Sequence, residues 1–416
     1  MKEFSLRPDH LIRDEVKSYC ETLKRWVNER VLPHEDVLDD YWDWTERPEH
    51  TLIHDLFKEL WIDLGLQKAF IPREYGGEGD WSTVENGAVI VEVARGDFGL
   101  ACTGFLQSWV VASVMLPKPN DYLMKQLAEW LLGSEPFPMC NAITEPHGGG
   151  NVEDPRLKGS AIRTRAKREG DTWVINGHKL WPSAFREAKA FLVICSIEGE
   201  QFPNNIGQFI VPADTPGLTT GKPYKKMGAA IDTCGDIWFE NVKVPKENKL
   251  HEGEDEVKSL IAKETIGRAC STAFAIGIMR RGFEILRSYV ENREIGGKPM
   301  KEHGVIVHEL GQIVTDMVTA ESVFWNTLIR LDHPEVYGPP WDHGQLVAAS
   351  ICQNVATECA FKVINRALEL MGSYGYAKEG KIEKLFRDVK ISQIVVGGQM
   401  LRLLEGARYY FGTETI

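Results

Sequence analysis

Apolar residues in the first third of the chain recur at three- and four-residue steps, which places them on one face of a helix. In residues 14–31 the stripe consists of Val16, Tyr19, Leu23, Trp26, Val27 and Val31. Residues 50–65 repeat the pattern and end at Gly65, a residue typical of helix C-termini. Residues 1–138 are therefore predicted to form an N-terminal α-helical domain.

The hydrophobic period changes in residues 139–252. The segments "DTWVINGHKLWPS", "AFLVICSIEG", "IGQFIVPAD" and "GDIWFENVKV" are short, rich in β-branched and aromatic residues, and bounded by Gly, Pro, Asn or Asp. Such segments are typical of an antiparallel β-domain. Asn176-Gly177 lies between two of the apolar runs and predicts a hairpin turn.

The helical period returns in residues 253–416, in four long stretches at about 256–293, 302–331, 344–371 and 382–409. These predict a C-terminal four-helix bundle. Helices, then strands, then helices give an α+β fold with segregated layers.

Charge and cysteine content narrow the function classes. The net charge of −12 argues against nucleic acid as a partner, because a phosphate backbone needs a basic surface. The eight cysteines show no C-x-x-C spacing, so we predict no metal site and expect buried free thiols. We see neither a signal-peptide core nor a run of about 18 apolar residues, and expect a cytoplasmic protein without a membrane span.

Three local features carry candidate chemistry. "AITEPHGGGNV" (142–152) combines a hydroxyl with glycines that expose backbone N–H groups. "INGHKLWPSA" (175–184) offers an aromatic plane, Trp181, and a hydroxyl, Ser183, on the same side of an extended chain. "MGSYGY…LFRDVK" (371–390) places small residues between two helices. Each also has an ordinary structural interpretation: a solvated loop, a core tryptophan and a tight helical hairpin.

In this order, the features resemble the acyl-CoA dehydrogenase family over nearly the whole chain. The matching motifs are "TEP" at 144–146, "INGHKLW" at 175–181, "KMG…FENVKVPKEN" at 226–248, "SYVENREIGGKP" at 288–299 and "GSYGY…FRDVK" at 372–390. The resemblance implies FAD as cofactor, an acyl-CoA substrate, electron transfer flavoprotein as oxidant and a homotetramer.

The resemblance also implies roles for individual residues. Thr144, Trp181 and Ser183 would contact the flavin, with Gly149 and Gly150 in the loop beside it and the acyl chain. Arg293 would reach the pyrophosphate of FAD in a neighbouring subunit, and Glu369, Gly372 and Ser373 would line the adenosine end. Arg268 would lie beside the thioester, and His147 replaces a usual glycine in the substrate loop.

The chain departs from the family at its catalytic base. The usual Glu, which removes the α-proton of the acyl chain, aligns with Val396, and the alternative family position aligns with Gly267. A general base contributes about 10²–10⁴-fold to the rate, so both vacancies are consequential.

The vacancies leave three explanations: a relocated base, a reaction that needs no α-proton removal, or binding without turnover. Asp97 is the first candidate for a relocated base, and an N-cap is its structural alternative. Asp232, Glu264 and His147 are further candidates.

We therefore expect an FAD-dependent oxidoreductase of the acyl-CoA dehydrogenase type, acting on a non-standard alicyclic or branched acyl-CoA. The alternatives are elimination or decarboxylation of an acyl-CoA, or a monooxygenase, on the same fold.

Overall fold

The computed structural model describes residues 4–413, which fold into helical, β and helical regions in chain order. The N-terminal helices are α1 (Asp14–Trp26), α2 (Glu35–Asp40), α3 (Thr51–Lys58), α4 (Leu66–Ala69), α5 (Thr83–Gly96), α6 (Phe98–Met115) and α7 (Asp121–Leu131). The predicted α+β class is confirmed.

A seven-stranded curled sheet forms the middle of the chain. Its strands are β1 (Met139–Ala142), β2 (Arg165–Glu169), β3 (Thr172–Ser183), β4 (Ala190–Ile197), β5 (Ile206–Pro212), β6 (Leu218–Thr220) and β7 (Cys234–Pro245). The spatial order is β1-β4-β2-β3-β7-β6, with β5 also paired to β4. The sheet is mainly antiparallel, as expected, and β4 pairs in parallel with β1 and β2.

The C-terminal region is helical, with a two-stranded ribbon after its first helix. Its helices are α8 (Glu254–Asn292), α9 (Gly304–Asp332), α10 (Pro334–Tyr337), α11 (His343–Met371), α12 (Ser373–Tyr376), α13 (Ile382–Ile391) and α14 (Gly398–Phe411). The ribbon strands are β8 (Glu294–Ile295) and β9 (Lys298–Pro299). Helix α11 lies at the centre of the bundle and packs on α8, α9, α13 and α14.

The predicted hairpin at Asn176-Gly177 is wrong. Strand β3 runs through both residues, and the turn lies before it, because β2 pairs with β3 across Gly170 and Asp171. Gly177 instead marks an irregularity in the pairing of β3 with β7. A Cβ there would lie 2.6 Å from the side chain of Thr164, so the glycine permits a close approach.

The last predicted helix is two helices. Residues 392–397 separate α13 from α14, and Val396, Gly397 and Gly398 have positive φ angles of 54°, 82° and 72°. These left-handed conformations cannot continue a right-handed helix. The continuous helical period concealed the break.

One helix of the described residues, α6, is long and apolar enough to cross a membrane. The sequence-based expectation of no such run is therefore wrong. However, 78% of its 18-residue window is buried inside the protein, which is typical of a core helix. All eight cysteines are buried and free, as predicted.

Candidate active site

The two positions at which the sequence analysis predicts a missing catalytic carboxylate face each other. Gly267 lies on α8, and a Cβ at this residue would be 3.9 Å from Cγ1 of Val396, in the loop before α14. The next residue, Gly397, contacts the Gly-rich loop: a Cβ on Gly150 would lie 2.6 Å from the Gly397 carbonyl oxygen. The fold thus brings three sequence-predicted segments to one place.

A buried arginine braces the loop that carries Val396. Arg402 Nη1 donates to the Val395 carbonyl at 2.7 Å and to the Val396 carbonyl at 3.3 Å, and Nη2 donates to the Gln393 carbonyl at 3.0 Å. Burial, together with nearby Arg268, lowers the pKa of Arg402 to about 10. These bonds hold Val396 in a left-handed conformation that a β-branched residue rarely adopts.

Two buried carboxyl groups lie beside the vacant positions. Glu264 is one helical turn before Gly267 on α8 and is 2% exposed. Glu153, in the segment that follows the Gly-rich loop, is 8% exposed. A Cβ on Gly397 would lie 3.0 Å from Glu153 Oε2. The sequence had indicated Glu264 as a candidate and had missed Glu153.

The two carboxyl groups have few hydrogen-bond donors around them. Among the described residues, Glu153 Oε2 and both oxygens of Glu264 lack a hydrogen-bond donor. Lys263 Nζ is 3.4 Å from Glu264 Oε1 without forming a hydrogen bond. Burial and the neighbouring Glu264 raise the pKa of Glu153 well above its usual range, although Arg268 and Lys263 oppose the shift. A carboxyl group in the surroundings of Glu153 favours its protonated form.

Arg268 lies beside this pair, and only one of its guanidinium nitrogens, Nη1, forms hydrogen bonds. It is fully buried, donates from Nη1 to Ser350 Oγ at 2.7 Å, and pairs with Glu405. Its Nε and Nη2 atoms have no hydrogen-bond partner among residues 4–413. Its Nη2 lies 3.0 Å from the place that a Cβ on Gly397 would occupy. The predicted role of Arg268 beside a thioester stays a prediction.

Ser183 belongs to a second polar cluster, at the end of β3. Its hydroxyl donates to Asp232 Oδ2 at 3.0 Å, and Thr103 donates to Asp232 Oδ1 at 3.2 Å. Cys102 Sγ lies 3.4 Å from Ser183 Oγ, and burial together with Asp232 raises the pKa of this thiol. Asp232 also lies 3.5 Å from Lys226 Nζ, so its carboxylate is fully engaged.

Trp181 presents an open aromatic surface beside this cluster. Its side chain is 53% exposed, and its ring lies 4.4 Å from that of Tyr224. The backbone of Trp181 is left-handed, with φ 68°, and the pairing register shifts between Leu180 and Ser183. The regular alternation of side chains along a strand is therefore interrupted here, so it does not place Trp181 and Ser183 on the same side of β3. Strained, non-glycine residues of this kind concentrate at functional sites.

The "TEP" turn is anchored by its glutamate. Glu145 accepts hydrogen bonds from Lys179 Nζ and from the backbone N–H groups of Arg163 and Thr164. Burial would raise the pKa of Glu145, but Lys179 and the backbone donors outweigh it and lower the pKa. This anchor leaves Thr144 partly exposed and His147 exposed at the edge of the loop. Gly149 is also exposed, with no neighbour within 4 Å of a Cβ.

Asp97 has structural partners. Its Oδ1 caps α6 by accepting from Leu100 N–H at 2.9 Å, and its Oδ2 pairs with Lys384 Nζ at 2.7 Å. Lys384 also binds Asp388, which accepts from Ala229 N–H. This network joins all three regions of the chain. Its contacts favour the N-cap interpretation, whereas a role of Asp97 as base stays a prediction.

The remaining predicted cofactor residues lie together at the far ends of α8 and α11. Tyr289 near the end of α8 stacks on Tyr374 with ring centroids 5.8 Å apart. Four predicted residues are exposed at this end: Arg293, Glu369, Gly372 and Ser373.

Three family models match the chain in order. The N-terminal domain of acyl-CoA dehydrogenase matches residues 13–126, the middle domain matches 140–242, and the C-terminal domain matches 260–408.

Curated relatives include enzymes named for alicyclic thioesters. Cyclohexane-1-carbonyl-CoA dehydrogenase of Syntrophus aciditrophicus is 27% identical over 95% of this chain and 96% of its own. Cyclohex-1-ene-1-carbonyl-CoA dehydrogenase of Geobacter metallireducens is 26% identical over 88% of this chain and 92% of its own. The human mitochondrial short-chain specific acyl-CoA dehydrogenase is 28% identical over 82% of this chain and 79% of its own.

Solved structures share the fold. Butyryl-CoA dehydrogenase of Megasphaera elsdenii superposes with a TM-score of 0.83 at 23% identity, covering 96% of this chain and 99% of the other. A glutaryl-CoA dehydrogenase of Mycobacterium smegmatis in complex with FADH2 superposes with a TM-score of 0.78 at 21% identity, covering 98% of this chain and 97% of the other. The chain belongs to the acyl-CoA dehydrogenase family of flavoprotein oxidoreductases acting on acyl-CoA.

Proposed function

We propose that the protein is an FAD-dependent dehydrogenase of a non-standard acyl-CoA, alicyclic or branched. The observation that carries this proposal is the pair Gly267 and Val396, which face each other where the family places its base. Relatives named for cyclohexane- and cyclohexene-carbonyl-CoA support an alicyclic acyl group. We also propose a cytoplasmic homotetramer that is reoxidised by electron transfer flavoprotein.

The residues at the end of β3 fit a flavin. Trp181 offers an exposed aromatic plane, Ser183 offers a hydroxyl, and Thr144 is partly exposed on the adjoining turn. Gly149 leaves open space for close backbone approach. These side chains suit a flat, hydrogen-bonding ring, and bound FAD would supply the two-electron acceptor of the reaction.

The exposed end of α8 and α11 suits the rest of the cofactor. Arg293 forms no ion pair within residues 4–413, so its guanidinium is free to hold a pyrophosphate. Gly372, Ser373 and Glu369 would line the adenosine end, in a neighbouring subunit of the tetramer.

Anaerobic mixing with thioesters tests the function. The purified yellow protein would be mixed with straight-chain, cyclohexane-carboxyl, cyclohexene-carboxyl and dicarboxylic acyl-CoAs while flavin absorbance is followed. We expect bleaching by the cyclic members. Bleaching by straight chains alone would contradict a non-standard substrate.

Two further readouts separate the alternative reactions. Loss of a leaving group from the thioester without flavin bleaching would indicate that the protein catalyses an elimination and not a dehydrogenation. Turnover that requires O₂ and fails with an artificial electron acceptor would indicate a monooxygenase.

A further inference from the structure

We propose that Glu153 and Glu264 form one functional unit, a carboxyl pair that takes the proton from the acyl chain. This inference rests on the proposed function and specifies the base that the function needs. The pair lies next to both vacant positions: Glu264 is one turn from Gly267, and Glu153 Oε2 is 3.0 Å from the Cβ site of Gly397, the residue after Val396.

Both carboxyl groups are buried, but most of their oxygens accept no hydrogen bond. Their residues are 8% and 2% exposed, and three of their four oxygens lack a donor among the described residues. An unpaired buried carboxylate is costly, so a structural role alone would favour a hydrogen-bonded or apolar residue at either position. Two such groups side by side share a proton, which leaves one oxygen free to accept another.

Three buried cations lie near the pair, and none of them donates a hydrogen bond to its carboxyl oxygens. Arg268 pairs with Glu405 and Ser350, and Arg402 binds Asn354 and the backbone before α14. Lys263 lies near Glu264 but does not form a hydrogen bond. These cations stabilise negative charge on the pair through space without occupying its oxygens, which a base requires.

A small cavity adjoins the pair. It has a volume of about 20 Å³, room for roughly one water molecule, and both Glu153 and Glu264 line it. The segment that carries Glu153 is fixed to α14, because Asp154 pairs with Arg408 at 2.9 Å. Part of the proposed base thus lies in the segment after the Gly-rich loop, and not at Gly267 or Val396.

The proposed step is a proton transfer. A C–H bond breaks at a carbon whose carbanion is conjugated with the thioester carbonyl, the proton forms an O–H bond on the carboxyl pair, and the electron pair remains on the substrate as an enolate. The oxidised flavin of the proposed function is the acceptor that completes the dehydrogenation.

Deuterium exchange isolates this step from the oxidation. The full-length holoprotein, with its flavin chemically reduced beforehand, would be incubated in D₂O with cyclohexane-carboxyl-CoA, and deuterium in the acyl chain would be measured by mass spectrometry. The variants are Glu153→Gln, Glu264→Gln and their combination. The matched control is Glu256→Gln, another fully buried carboxyl on α8 that lies outside the pair.

We expect exchange in the wild type and a fall of about 10²-fold or more in the double variant, with normal exchange in the control. Glu264→Asp should restore part of the exchange that Glu264→Gln loses. The wild-type rate should rise with pH through an apparent pKa above the usual carboxyl range. If the double variant does not bind flavin, the two single variants carry the same comparison.

Two results would overturn the proposal, and they are distinguishable. Equal exchange by wild type and variants, with cyclic thioesters still bleaching the oxidised wild type, would reject the carboxyl pair and retain the function. No exchange and no bleaching in the wild type with any thioester would reject both.

Discussion

Gly267 on α8 and Val396 before α14 face each other, with the Cβ site of the glycine 3.9 Å from Cγ1 of the valine. The resemblance to family motifs predicts that both residues replace the carboxylate that removes the α-proton. The structure brings these two predicted positions to one place in the fold, and neither of them carries a carboxylate.

Restoring a carboxylate at this place should restore straight-chain chemistry. Val396→Glu should raise flavin reduction by a straight-chain acyl-CoA by about 10²-fold or more, because a general base contributes on that order. Stopped-flow absorbance under anaerobic conditions measures it. Val396→Gln is the matched control; an equal gain in that variant would show that relief of the left-handed valine, rather than proton removal, is responsible.

Asp97 should prove to be a stabilising residue. Asp97→Asn keeps an oxygen for the α6 N-cap but breaks the buried pair with Lys384, and we expect a loss of about 3 kcal/mol in unfolding free energy. Urea unfolding measures the loss, and turnover of the folded variant should stay within severalfold of wild type. Normal stability with abolished turnover would instead establish Asp97 as the base.

Arg402 should maintain the loop between α13 and α14. Arg402→Lys keeps the charge but cannot reach the carbonyls of Gln393, Val395 and Val396 together, because an ammonium lacks the planar fork of a guanidinium. We expect faster amide exchange in residues 392–397 and a loss of about 2 kcal/mol or more in unfolding free energy. Unchanged exchange in that segment would contradict the bracing role.

Glu256 should make the protein less stable as pH rises. Burial raises the pKa of Glu256 to about 8, against about 4.3 in an unfolded chain. Between these values the native state binds the extra proton, so the unfolding free energy falls with rising pH by up to about 1 kcal/mol per unit.

Glu256→Gln should make the fall in unfolding free energy between about pH 4 and pH 8 shallower by one group's contribution, while Glu187 and Glu153, whose pKa values burial also raises, keep theirs. Denaturant unfolding at a series of pH values measures the change, with exposed Glu254→Gln on the same helix as control. A slope in Glu256→Gln equal to that of the wild type would contradict the contribution of Glu256.

The sequence predicted the elements that repeat a period. The stripes of α1 and of α8, α9 and α11 were recognisable because three- and four-residue spacing reflects burial along one helix face. Asn176-Gly177 misled because the same dipeptide that favours a tight turn also suits a close approach within a strand, here against Thr164. The break at Val396 was hidden because its left-handed backbone depends on hydrogen bonds from the Arg402 guanidinium, which a hydrophobic period does not reveal.

The site was predictable only in part. The family motifs predicted that Gly267 and Val396 replace the usual base, and helical spacing to Gly267 indicated Glu264 as a candidate. Glu153 was missed because its significance lies in a contact with residues far along the chain. An acidic residue directly after the Gly-rich loop was the one local signal that could have indicated it.

The most direct test of a non-standard acyl group is a single anaerobic mixing experiment with wild-type protein. Cyclohexane-carboxyl-CoA and a straight-chain acyl-CoA of equal carbon number would be added separately to the oxidised flavoprotein, and the bleaching rates compared. The account predicts rapid bleaching by the cyclic thioester and at least about 10²-fold slower bleaching by the straight chain. Equal or faster bleaching by the straight chain would contradict it.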